Sequence, residues 1–142
     1  MATYTKYETY VEHLSNSTID AFGTTDLFKA AITTDAPVVA TDDALVNTTQ
    51  IAGNNGYTTG GDDIQNDSTR TGLTITFTAV DVVWTATTGN LGTSTTGRYF
   101  VIHDDTSITD KLMCYFDYGG TFTVAVGETM TLDFGASLYT LT

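Results

Sequence analysis

Leu73-Thr74-Ile75-Thr76-Phe77-Thr78-Ala79 alternates apolar and hydroxylated side chains at every step. A period of two places Leu73, Ile75, Phe77 and Ala79 on one face of a strand and the threonines on the other, as in a sheet with one buried and one wet side. The flanking chain repeats the theme. Asp81 to Ala86, with Val82, Val83 and Trp84, extends this strand or begins the next after a bulge, and Gly89-Asn90-Leu91-Gly92 turns the chain. Tyr99 to His103 and Leu112 to Tyr118 read as strands joined by the polar run from Asp104 to Asp110. Phe122, Val124 and Val126 then alternate with Thr121, Thr123 and Ala125, and Gly127-Glu128 turns into a last alternation through Met130, Leu132 and Phe134. Leu27 to Thr33 supplies an earlier strand, closed at Asp35-Ala36-Pro37 because the residue before proline is pushed out of helical space. Short strands at regular spacing with glycine-rich turns predict a mostly β chain, an antiparallel β-sandwich or jelly-roll-like barrel.

Composition agrees. Thr fills 32 of 142 positions and Pro only 1, and a side chain stiff at its first torsion suits a pleated surface better than a helix. One N-terminal helix is expected between Thr5 and about Ile19, where Tyr7, Tyr10, Val11 and Leu14 recur at three- and four-residue steps. The run Ser15-Asn16-Ser17-Thr18 weakens its second half by competing for backbone hydrogen bonds. Residues 1–22 thus read as a helical segment and 23–142 as a single β-sandwich domain. A short helix fits between Thr41 and Ile51, and the polar stretch from Gly53 to Arg70 reads as a long connection, the first candidate for a contact loop.

A net charge of -12 with 5 Lys plus Arg repels phosphate backbones and anionic headgroups, so neither nucleic acid nor a membrane is an expected partner. The single cysteine, Cys114, leaves no internal disulfide, and the Met1-Ala2-Thr3-Tyr4 start has no basic region followed by an apolar run, so synthesis in the cytoplasm is expected.

The search for chemistry yields no catalytic, cofactor-binding or metal site. His103 precedes Asp104 and Asp105, and a carboxylate-held His is half of a nucleophilic pair, yet no Gly-x-Ser-x-Gly elbow exists and Cys114 lies in an apolar alternation with Leu112 and Phe116. His103 therefore reads as a strand-end residue beside a solvated loop. His13, His103 and Cys114 lack zinc-motif spacing, and the pairs Asp42-Asp43, Asp62-Asp63 and Asp104-Asp105, with Asp67, lack the alternating acids of an EF-hand. Trp84 in its apolar run reads as core rather than as a platform for sugars.

Four segments in order resemble a family of small tailed-phage virion structural proteins: Leu27–Pro37, Ile51–Gly61, Asp81–Ala86 and Val126–Phe134. The resemblance implies a non-enzymatic capsid decoration or cement protein. Such a protein binds the major capsid protein on the outer head surface of the virion and stabilises the shell as a symmetric oligomer, with a homo-trimer expected. The interface is expected on the N-terminal helix and the Gly53–Arg70 loop. A tail, neck or baseplate component is the alternative reading, and a carbohydrate-binding or adhesin module is a further one.

Overall fold

The structure is a computed structural model that describes residues 3–21, 25–92 and 96–142. Its strands, in chain order, are Thr3–Lys6 (β1), Phe28–Thr33 (β2), Asp62–Asp63 (β3), Asp67–Thr71 (β4), Thr74–Thr78 (β5), Val82–Thr85 (β6), Gly97–Asp104 (β7), Lys111–Phe122 (β8), Thr129–Leu132 (β9) and Tyr139–Leu141 (β10). A helix, Glu8–Ser15 (α1), lies between β1 and β2. The widest sheet runs β1-β8-β7-β2-β3, a second runs β10-β5-β4, and a third pairs β6 with β9. The named strand pairs are antiparallel. The protein is thus mostly β, with one helix near the N-terminus and sandwich-like packing.

Register explains the core. Across β2, β7 and β8, Ile32 stands opposite Phe100 and Phe100 opposite Phe116, while Ala30 faces Ile102 and Ile102 faces Cys114. These residues share one face of the wide sheet, and the two smaller sheets cover it through aromatic rings. Trp84 of β6 stacks on Phe100 at 5.7 Å between centroids, and Phe77 of β5 meets Phe28 of β2 edge-on at 5.5 Å. The opposite face carries Val101, His103 and Tyr115, and Tyr7 packs on Tyr115 at 5.7 Å. The central strands β2 and β7 are therefore buried on both faces, which leaves no wet side for alternation to mark.

Several sequence expectations change. The segment 1–22 is not simply helical: Thr3–Lys6 pairs with Cys114–Asp117 as an edge strand of the wide sheet. The helix begins only at Glu8, and Tyr7 and Tyr10 are fully buried, so this segment belongs to the core of the sandwich. The expected boundary at 22 falls outside the described residues. The Thr41–Ile51 helix is a single 3-10 turn, Leu45–Asn47.

The Gly53–Arg70 stretch is no free loop. It contains β3, all of β4 but its last residue, and the buried side chains of Tyr57 and Ile64. The Tyr57 hydroxyl donates to Gln50 at 2.9 Å and accepts from the Ile32 amide at 3.1 Å, which ties the stretch to β2. Its polar end, Asp67–Thr71, pairs with β5 through a two-residue turn in which Gly72 takes φ +62°. A turn whose first central residue has positive φ matches the right-handed twist of its strands. Leu73, expected inside, sits at the tip of this hairpin and is 93% exposed. Thr123–Val126 does not continue as a strand; Val124 is buried but Val126 lies in the turn and is exposed.

Candidate functional site

An aromatic-lined hollow lies between the wide sheet and β9. Tyr4 of β1, Phe100 of β7, and Phe116 and Tyr118 of β8 form its floor, while Thr131, Leu132 and the following chain to Leu138 form its wall. Its volume is about 750 Å³. β8 places Phe116 and Tyr118 two residues apart on one face, so the alternation of a strand builds the aromatic floor. Phe134 closes one side, edge-on to Phe116 at 5.9 Å. Phe100, Leu132, Phe116 and Phe134 are buried, whereas Tyr118 and Thr131 are exposed at the mouth, and Asp133 is the one charged residue of the lining among the described residues. A smaller hollow shares Tyr4 and is lined by Tyr10, Val11, Leu14 and β10. The surface is chemically suited to taking up apolar side chains, with tyrosines as amphipathic rims.

The histidines occupy two separate settings. His103 is fully buried, contrary to a strand-end residue beside solvent, and its Nε2 meets the Gly60 carbonyl at 2.9 Å. A carbonyl only accepts, so Nε2 carries the hydrogen and Nδ1 holds a lone pair; Nδ1 is buried without a hydrogen-bond partner among the described residues. Burial pushes the ring below the usual imidazole range, against the opposing pull of Gly60, Asp110 and Asp105. The ring's Nε2 is thus aimed at Gly60, and one of its nitrogens lies beside the two acids. Asp105 and Asp110 bring carboxylate oxygens beside it, so that one ligand atom from each of the three residues lies within 4.8 Å of the others. Lys29 pairs with Asp105 at 2.8 Å. Asp104 points elsewhere: its Oδ1 accepts from the Thr106 amide at 2.8 Å, and burial, with Asp26 nearby, pushes its carboxyl up to about 6.

His13 sits instead with Asp43, which also pairs with Lys111. Burial alone would raise the Asp43 carboxyl, but the hydrogen bonds and charges of Lys111 and His13 outweigh it and hold it below the usual range. A carboxyl depressed by folding contributes stability that is present above its unfolded pKa of about 3.9 and lost as pH falls through the folded value. Asp43→Asn is therefore expected to lower the urea midpoint at pH 7 and to flatten its decline below about pH 4. An unchanged acid limb would show that the cluster adds nothing to stability.

The other sequence candidates find plain places. Cys114 is fully buried and its thiol is pushed up by burial, which suits an inert core residue. Trp84 is 1% exposed, so it offers no platform for a sugar. Asp42 closes a turn by accepting from the Val38 amide at 2.7 Å, and Asp63 accepts from the Gln65 amide at 2.7 Å. Sequence reasoning missed both the groove, assembled from non-adjacent strands, and the grouping of His103, Asp105 and Asp110.

No protein-family model, curated protein or solved structure matches this chain.

Proposed function

We propose that this protein is a structural protein of a tailed-phage virion. In this reading it is a decoration or cement protein that binds the major capsid protein on the outer head surface and stabilises the shell, acting as a symmetric trimer. The observation that carries the reading is the aromatic groove between the wide sheet and β9. Its floor is held by strands, so little ordering is needed when a partner segment docks, and buried aromatic floors ringed by exposed tyrosines suit protein recognition. Its occupant is an apolar segment of the capsid protein carrying a basic side chain, since Asp133 edges the groove and the chain bears a net charge of -12. A symmetric oligomer would multiply modest single contacts through effective concentration.

Quantitative mass spectrometry of purified particles tests the station. A ratio near one copy per capsid subunit is expected, a few copies would transfer the protein to the tail, neck or baseplate, and absence from particles would reject the virion reading. Thr131→Trp, which fills the groove from an exposed position, is expected to weaken association with capsid shells by about tenfold or more. Unchanged occupancy would remove the groove from the interface.

A further inference from the structure

We propose that His103, Asp105 and Asp110 bind a divalent first-row transition-metal ion, with Zn²⁺ the ion best matched. The site is built where β7 hands over to β8. His103 is the penultimate residue of β7, Asp105 follows its end, and Asp110 precedes Lys111, the first residue of β8. The connection folds back, with Asp110 at φ +50°, so that residues two and seven positions beyond His103 reach its ring. Their three ligand atoms lie within 4.8 Å of one another. Tetrahedral bonds of about 2.0–2.2 Å to one ion hold ligand atoms roughly 3.5 Å apart, so the side chains must rotate inward to close the set.

The buried imidazole is an independent observation. Its Nε2–H donates to the Gly60 carbonyl at 2.9 Å, the outer-sphere bond that fixes ring and tautomer in metal-bound histidines. That leaves a buried Nδ1 lone pair without a partner among the described residues, and a buried acceptor without a donor is costly unless something fills it. A cation does so. Two carboxylates against Lys29, which engages Oδ2 of Asp105 at 2.8 Å, leave the group with a negative balance. Asp105 and Asp110 are both partly exposed, which gives an ion its route in. One imidazole with two carboxylates favours Zn²⁺, Co²⁺ or Mn²⁺ over Ca²⁺ and Mg²⁺, which take all-oxygen shells. Such an ion would clamp the β7–β8 connection to the strand end.

Titration calorimetry of the full chain with ZnCl₂ tests the site, with Asp110→Asn, Asp105→Asn and His13→Ala as variants. Asn tolerates the positive φ at 110, so Asp110→Asn keeps the fold while removing the charge; circular dichroism verifies this for each variant. The expected result is saturable binding of one Zn²⁺ per chain, weakened about tenfold or more by either acid variant and unchanged in His13→Ala. The ¹⁵N resonance of His103 Nδ1, rather than Nε2, shifts on addition of zinc. Three results would overturn the proposal: no saturable binding below about 1 mM, wild-type affinity in either acid variant, or loss of binding in His13→Ala. The last would assign the zinc to the His13–Asp43 group.

Discussion

Replacing Trp84 with alanine is expected to destabilise the protein by about 3–5 kcal/mol, the range for removing a large aromatic from a core. The ring is 1% exposed and lies nearly parallel to Phe100, with 14° between planes. Phe100 in turn stacks on Phe122 at 5.4 Å, so the indole is the outer member of an aromatic stack that joins the β6–β9 sheet to the wide sheet. Alternation along β6 turns Val82 and Trp84 inward and Val83 and Thr85 outward, and among the described residues β6 has only β9 as a sheet partner. A two-stranded ribbon is marginal by itself, and losing its largest anchor should loosen β9 and the groove wall with it. Because Trp84 Nε1 has no hydrogen-bond partner among the described residues, Trp84→Phe forfeits no polar contact there and should cost much less, below about 2 kcal/mol. Urea denaturation followed by circular dichroism distinguishes the two variants. A cost under about 1 kcal/mol for alanine would mean that the ribbon is held by other contacts.

Gly61→Ala should be nearly as damaging for a different reason. Gly61 has φ +79°, and a Cβ there would stand 1.9 Å from the Ala30 carbonyl oxygen and 2.8 Å from Ala31 Cα. Both belong to β2, which is paired on both sides and has no room to retreat. The left-handed backbone alone costs a non-glycine residue about 1–2 kcal/mol. Pushing residues 60–62 off β2 adds the Ala30–Asp62 pairing and displaces the Gly60 carbonyl from His103, for a total of about 3 kcal/mol or more. Gly72→Ala is the internal control. It shares a positive φ, +62°, but nothing lies within 4 Å of its added Cβ, so only the conformational part remains. Equal midpoint shifts in the two variants would show that the contact with β2 relaxes at little cost.

The same positions show what a single sequence discloses. The strand character of Phe77, the inward Trp84 and the buried Cys114 were legible because each sits in an alternation whose inner positions are apolar. β1 was hidden because Tyr4, Tyr7 and Tyr10 also recur at a helical step, and only pairing with Phe116 across more than a hundred residues decides for the strand. β4 was hidden because Asp-Ser-Thr-Arg-Thr carries no apolar residue; it is a strand through its hairpin with β5, and Gly72 was the one local sign. The groove and the His103 group draw on residues separated in the chain, and the backbone turn at Asp110 that unites His103 with its acids leaves no mark in spacing.

The pairing of β1 with β8 also orders events in time. During synthesis the N-terminal strand emerges early, yet its partner, Cys114–Asp117, is made more than a hundred residues later, and β5 waits likewise for Tyr139–Leu141. Until then the nascent chain carries an unpaired edge strand and two tyrosines, Tyr7 and Tyr10, that have no interior to enter. Closure of the sheet is consequently a late step dominated by distant contacts, so slow folding is expected, with the incomplete chain more exposed to aggregation than the finished one.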